Sequence, residues 1–361
     1  MVIATVAWCG AAPVDPPRDT IALGKAVAES RAIVLRELAP KVPGMAVAVS
    51  VDGKLVWSEG FGYKYLGTKT PVTAKTRFRI GSISKSLTSA GLALLVERGL
   101  VDLDAPIQTY VPDFPVKGAP ITTRQLGGHL SGIRYYRGNE TMLNKPFANV
   151  RAGLKIFEND PLDAPPGTKY IYSTYGWTVI SAVMEGATGQ DFLAYMDEAV
   201  IRPLGLTHTG ADFKGVNDPD RTYFYRGDGP AHFTVAPTVD SSYKWAGGGY
   251  LSTPEDLVRF GSALLQPGFL QAKSLTLLFT SQKTADGKPT GYGFGWVIDK
   301  DRRGHPIYYH RGGSIGGTSV LLLHPSTKTV VAMACNHSTT PFQKDNWEPI
   351  IELFAPLFTA R

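Results

Sequence analysis

The sequence predicts an α+β fold: one antiparallel sheet built from both chain ends and flanked by helices, with an inserted all-helical lobe. Three observations predict it. Apolar strand-like runs with hairpin turns lie near residue 50 and return beyond residue 290. Between them, from Asp102 to about Asp240, alternation fades and short helical patterns punctuated by Pro and Gly take over. The chain has 361 residues, 43% hydrophobic and 19% charged, which is enough for a substantial core. We read residues 21–361 as a single domain, with an α/β lobe over 21–101 and 241–361 and a helical lobe over 102–240.

Each element has its own signal. Residues 1–20 read as a signal remnant or linker. Met1 to Pro13 is apolar and ends in small residues like the second half of a signal peptide, although a basic start is missing; residues 14–20 are rich in Pro and Asp. On this reading the protein is exported, periplasmic or secreted. Ile21 to Leu38 has helical spacing. Met45 to Val51 is a strand, Asp52-Gly53 a turn, and Leu55 to Ser58 the returning strand. Residues 60–76 read as loop. Arg77 to Ile80 is extended, Gly81 turns, and a helix runs through Leu87–Val96 to a stop at Gly99. Helical patterns follow at Thr122–Leu130, Val150–Asn159, Gly176–Glu185 and Asp191–Val200. Thr253-Pro254-Glu255-Asp256 is a capping signature for a helix to about Leu265. Tyr292–Ile298 and Ile307–His310 read as strands, Thr318–Leu323 and Thr329–Ala334 as a hairpin, and Trp347–Phe358 as a helix.

Composition excludes several classes of function. The net charge of +6 is scattered, without the basic block of a nucleic-acid binder. No apolar run reaches the roughly 20 residues of a membrane span. Two cysteines, Cys9 and Cys335, do not make a disulfide framework, and Cys335 reads as a buried thiol in a strand. There is no HExxH, paired CxxC or phosphate loop, and the seven histidines are dispersed, so neither a metal site nor a cofactor is expected. Oligomeric state stays open.

The chemistry gathers in three places. Ser82 stands at a helix N-terminus, and Lys85 lies three residues on, over the same face. A cation in a first helical turn is unfavourable. Burial and the helix dipole both favour a neutral amine there, and a neutral lysine can take a serine proton. Ser-x-x-Lys alone is a weak pattern: Ser241-Ser242-Tyr243-Lys244 repeats it before a glycine run, with no apolar helix behind, and reads as a decoy. The second place is Tyr172-Ser173-Thr174, between the Pro166-Gly167 turn and a helix. Tyr172 could relay protons if a lysine ammonium lowered its pKa from about 10. The third is His310 to Gly317, where glycines let backbone approach a ligand. The amides of Gly313 and Ser82 together could bind an oxyanion. Gly312-x-Ser314-x-Gly316 mimics the nucleophile elbow of α/β-hydrolases. The strand-like run after it, and the lack of an acid followed by a histidine, reject that reading.

A Ser-x-x-Lys, a Tyr-Ser-x and a basic-x-Gly in this order resemble the serine β-lactamase and penicillin-binding-protein superfamily, class C-like branch. Arg79–Lys85, His129–Ile133, Arg202–Leu206, Ala246–Tyr250 and Tyr292–Trp296 support it. Tyr110–Pro115, Ile121–Arg124 and His129–Arg134 look like the mitochondrial serine β-lactamase-like proteins and their bacterial relatives. The resemblance implies Ser82 as acylated nucleophile and Lys85 and Tyr172 sharing proton transfers. It places Ser82 and Gly313 as oxyanion donors, with His310, Gly312 and Thr174 lining the substrate site. Two departures matter. Thr174 stands where the family usually has asparagine, and His310 where it has a permanent cation; a histidine there gives a weaker, pH-dependent clamp. The expected function is therefore serine hydrolysis of a peptide or small-molecule ester. The alternatives are β-lactamase or D-Ala-D-Ala carboxypeptidase activity, and a non-catalytic, self-assembling scaffold.

Overall fold

In the computed structural model, which describes residues 20–229, 232–354 and 357, chain order begins with helix α1 (Thr20–Ile33) and a wider turn over Val34–Leu38. The signal-like stretch 1–13 lies outside the described residues. Strands β1 (Gly44–Val51), β2 (Lys54–Tyr65), β3 (Thr70–Pro71) and β4 (Phe78–Arg79) lead into helix α2 (Ile83–Glu97). Next come α3 (Thr123–Gly127), α4 (Val150–Leu154), α5 (Thr174–Thr188) and α6 (Phe192–Met196), then β5 (Gly210–Ala211), β6 (Tyr225–Arg226) and β7 (Thr234–Val235). The chain continues through α7 (Trp245–Gly248), β8 (Tyr250–Ser252), α8 (Pro254–Leu264) and α9 (Ala272–Phe279). It closes with β9 (Val297–Lys300), β10 (Pro306–Ser314), β11 (Gly317–His324), β12 (Thr329–Cys335) and α10 (Lys344–Phe354). None of the described helices is long and apolar enough to cross a membrane.

The main sheet has seven antiparallel strands in the order β3-β2-β1-β12-β11-β10-β9, so both chain ends do build one sheet. Its seam pairs Met45 with Cys335 and Val49 with Val331. The central strands are apolar throughout because both faces are covered. Alternate residues Leu321, Leu323, Val330 and Ala332 join the core that holds α2 and α8. Their neighbours Val320, Leu322, Val331 and Met333 join a second core under α1 and α10. The period of two thus divides the hydrophobic residues between the two faces. The β1–β2 turn uses Asp52 and Gly53, both at positive φ (47° and 78°), as a tight two-residue hairpin requires.

Several expectations need correction. Residues 60–76 are not simply loop: β2 continues to Tyr65, and its glycines hid the alternation. A Cβ at Gly60 would fall 2.5 Å from the Val72 carbonyl oxygen, so glycine admits the crossing chain. Tyr292–Trp296 is not strand, because Gly291 and Gly295 take left-handed φ values of 74° and 81°. The insert is less helical than its pattern suggests, since short helices alternate with irregular chain and β5, β6 and β7 fall within it. The last helix starts at Lys344 and is described only to Phe354.

Buried Arg79 ties β4 to the segment after β5 by an ion pair and to the turn after β10 by a hydrogen bond. The Arg79 guanidinium donates to Asp212 Oδ2 (2.6 Å) and to the Ile315 carbonyl (2.7 Å), and Asp212 also pairs with Arg221 (2.7 Å). Asp212→Ala leaves two guanidiniums facing each other. We expect it to destabilise the fold by about 3–5 kcal/mol, the usual cost of stranding one partner of a buried pair. An unchanged urea midpoint in that variant would show that solvent already screens the pair.

Candidate active site

Ser82 lies where β4 has ended and α2 begins, after Gly81 at positive φ. Its hydroxyl does not cap the helix, contrary to the expectation from its position; Ser82 already has helical φ and ψ, and the side chain makes no cap bond. The hydroxyl instead lies 3.0 Å from Lys85 Nζ. Lys85 is fully buried, with Nζ also 2.6 Å from the Gly247 carbonyl and 3.3 Å from Thr174 Oγ1. Burial, reinforced by the nearby Lys244 charge, holds the amine well below the usual lysine range. A neutral amine has two N–H donors and one lone pair. In that form its two donors would go to Gly247 and Thr174 and its lone pair would accept from the Ser82 hydroxyl, whereas the ammonium would donate to all three.

Tyr172 approaches from the insert. Its phenol neighbours the Ser82 side chain, and Lys85 Nζ sits 4.9 Å from its ring centroid. The expected ammonium–phenolate pair is not what forms. Desolvation pushes the phenol well above its ordinary range and the amine well below its own, so burial drives both groups toward their neutral forms. His129 holds Tyr172 from both sides: its carbonyl accepts from Ile171 N–H (2.8 Å) and its Nδ1 accepts from Ser173 N–H (3.1 Å). The imidazole lies on the Tyr172 ring with centroids 4.3 Å apart. Ser173 caps α5 through Gly176 N–H (3.1 Å), and its own hydroxyl donates to the Arg134 carbonyl (2.7 Å).

Strand β10 supplies the third side. A Cβ at Gly81 would fall 2.5 Å from Gly313 N, and one at Gly312 would overlap the Ile80 carbonyl. Glycine at 81 and 312 therefore lets β10 lie backbone to backbone against the approach to Ser82. A Cβ at the exposed Gly313 would meet only open space, so that position faces accessible volume. His310 is also at the site, but not as a titrating clamp. Its Nδ1–H donates to the Arg311 carbonyl (2.7 Å), and its Nε2 accepts from the Tyr292 hydroxyl (2.9 Å). Both ring nitrogens are used, and burial with the neighbouring Lys85 lowers its pKa to about 3. Thr174 faces Lys85 rather than standing free, and a Cβ on Gly247 would fall 2.5 Å from its Cγ2.

The structure thus brings Ser82, Lys85, Tyr172, Thr174, His310, Gly312 and Gly313 together. Sequence reasoning missed His129, Gly247, Tyr292 and Lys244 as parts of the site. The supposed decoy lysine is itself buried: its ammonium lies 5.2 Å from the Tyr243 ring centroid, and its pKa falls to about 8 through burial and the Arg79 charge. Its signal was present in Ser241–Lys244, but the pattern is usable only once α7 folds back over α2.

A serine, a buried lysine and a tyrosine thus converge beside a strand that carries two glycines. Residues 26–354 match the family described as Beta-lactamase, and the chain belongs to that family of serine hydrolases. Serine beta-lactamase-like protein LACTB, mitochondrial, of Bos taurus is 32% identical over 401 residues, covering 83% of this chain and 71% of that protein. Two solved structures share the fold. The octameric penicillin-binding protein homologue from Pyrococcus abyssi has TM-score 0.75 at 23% identity, covering 93% of this chain and 77% of that one. The D-amino acid amidase from Ochrobactrum anthropi SV3 has TM-score 0.78 at 23% identity, covering 92% and 98%.

A buried neutral histidine makes stability depend on pH. Folded His310 resists protonation down to about pH 3, while the unfolded chain takes up that proton below about 6.5. The unfolded state therefore binds more protons in this window, and acidification weakens the fold. Between pH 6 and 4 we expect His310→Gln to remove up to about 1.4 kcal/mol per pH unit of that loss. Parallel urea midpoints for the two proteins across the window would mean that His310 is already charged in the native state.

Proposed function

We propose that this chain hydrolyses an amide or ester bond of a peptide or small acyl substrate through a covalent acyl-Ser82 intermediate. The observation that carries this reading is the Lys85 amine, buried 3.0 Å from the Ser82 hydroxyl and pushed toward its neutral form, with the Tyr172 side chain beside it. Ser82 Oγ attacks the acyl carbon as its proton passes to Lys85 Nζ. The carbonyl oxygen turns toward the amides of Ser82 and Gly313, where developing negative charge is stabilised. The Tyr172 O–H protonates the departing nitrogen or oxygen as its C–N or C–O bond breaks, and the Lys85 ammonium returns a proton to the Tyr172 oxygen. Water then releases the acyl group by the reverse sequence. An amidase among the fold relatives is consistent with amide substrates. His310 is neutral and internally hydrogen-bonded, so it does not supply the cation that would grip a substrate carboxylate. That weighs toward plain amides and esters over β-lactams or D-Ala-D-Ala peptides.

A fluorophosphonate probe followed by mass mapping tests nucleophile and enzyme status together. Label on Ser82 is expected, and Ser82→Ala should abolish both labelling and turnover of an activated ester while the fold persists. Lys85→Met should slow both by about 10²–10⁴-fold, the range for losing a positioned general base. Unlabelled Ser82 in protein that forms concentration-dependent polymers would instead support a scaffold.

The acid limb of kcat/KM reports the ionisation that disables the base. The Lys244 charge helps to depress Lys85, so Lys244→Met should raise the Lys85 pKa and move that limb to higher pH. A limb that stays in place would exclude Lys244 from tuning the base.

A further inference from the structure

We propose that Asp301, His305 and His324 form a binding site for one divalent transition-metal ion of the zinc class, at the end of β10 away from the active site. The Asp301 carboxylate is oriented for it. Its Oδ1 accepts from the backbone N–H groups of Arg303 (2.9 Å) and His305 (2.7 Å), which leaves Oδ2 facing two imidazoles. His305 Nδ1 lies 2.9 Å and His324 Nε2 3.2 Å from that oxygen, and the three ligand atoms are all within 4.8 Å of one another. Tetrahedral zinc with bonds near 2.0–2.1 Å separates its ligand atoms by about 3.3 Å, so small side-chain shifts close the set around one ion.

Hydrogen bonding beyond the ligands favours the metal-binding tautomer. The Thr329 hydroxyl donates to the Thr327 carbonyl (3.4 Å), so the Thr327 hydroxyl donates to Thr329 Oγ1 (2.9 Å). Thr327 Oγ1 is then left to accept from His324 Nδ1–H (2.8 Å). That chain fixes the His324 proton on Nδ1 and points the Nε2 lone pair at a carboxylate oxygen. Two lone pairs facing each other need a proton or a metal ion between them, and a second-shell acceptor on the far ring nitrogen is the usual companion of a ligating histidine. Two imidazoles with one carboxylate suit zinc and its transition-metal neighbours, whereas calcium and magnesium prefer all-oxygen sets. Asp301 and His324 are buried and His305 is half exposed, which gives the ion a solvent entry and a place for water as fourth ligand. The site would pin the β9–β10 turn to the end of β11. His305 is five residues from His310 along the chain, about 17 Å in extended strand, so the ion takes no part in acyl chemistry.

The test uses the full chain stripped with chelator, titrated with zinc alone and read by calorimetry and thermal midpoint. One equivalent should bind and raise the midpoint, and calcium or magnesium should not. His305→Ala should fold like the parent and bind zinc more than about 100-fold more weakly, beyond the loss usual for a partner one shell further out. His324→Gln should lose the response too. Cobalt should give the visible bands of a four-coordinate ion in the parent and not in His305→Ala. No zinc-dependent shift in the parent, or an equal shift in parent and His305→Ala, overturns the proposal. Neither outcome bears on Ser82 labelling.

Discussion

An amine cannot keep its proton cheaply where Lys85 lies, and the rest of the site follows from that. Burial penalises the ammonium, no carboxylate among the described residues offsets the penalty, and the Lys244 charge adds to it. A neutral amine must then be satisfied as a two-donor, one-acceptor group. Gly247 and Thr174 accept its two hydrogens, and only an O–H can serve its lone pair. Ser82 is therefore held in the one arrangement that also prepares it to lose a proton. The absence of a cap bond from Ser82 belongs to the same logic: a hydroxyl that satisfied the helix end could not face the amine.

This arrangement needs four segments that are distant in sequence. α2 brings Ser82 and Lys85, the start of α5 brings Thr174 with Tyr172 just ahead of it, α7 brings Gly247, and β10 brings Gly312 and Gly313. Each is fixed by contacts with little freedom. His129 grips the backbone on both sides of Tyr172, Arg79 joins β4 to the turn after β10, and missing side chains at Gly81 and Gly312 let two backbones touch. Supporting groups of this kind hold reacting groups within the small tolerances that acyl transfer demands.

Much of this was legible in the sequence, for identifiable reasons. Hairpins with Asp52-Gly53 and apolar runs at both ends announce a sheet, and the Thr253-Pro254 start of α8 is a local signal that tertiary packing does not override. The Ser82–Lys85 spacing is also local, one helical turn. What could not be read depends on long-range placement. β2 past Gly60 looked like loop because its glycines serve a crossing at Val72 that no local window contains. His129 looked like part of a motif without a task until Tyr172 packed on it. His310 looked like a titratable clamp because a free imidazole ionises near pH 6.5; burial and the Tyr292 and Arg311 partners cancel that. The Asp301, His305 and His324 cluster was missed because dispersed histidines show no ligand spacing until β10 and β11 pair.

The electrostatic balance of the pocket gives the arrangement its direction. Lys85, His129 and His310 are each pushed toward neutrality by burial, and Lys85 disfavours charge on both histidines. Lys244, with a pKa near 8, keeps most of its charge at neutral pH. Asp212 and Asp240 offset part of that charge, whereas burial and the Lys244 charge hold the Lys85 amine toward its proton-accepting form. An acyl group arriving as a neutral carbonyl gains little from this field. Once Ser82 adds to it, a negative oxygen appears and a proton reaches Lys85, so anion and ammonium form together in a low-dielectric setting where their attraction is strong. On the proposed chemistry the field favours the tetrahedral species over the bound substrate, which is the differential binding that lowers a barrier. A carboxylate placed beside Lys85 would remove that difference by stabilising the ammonium before any bond forms, and its absence is as much a part of the design as the serine.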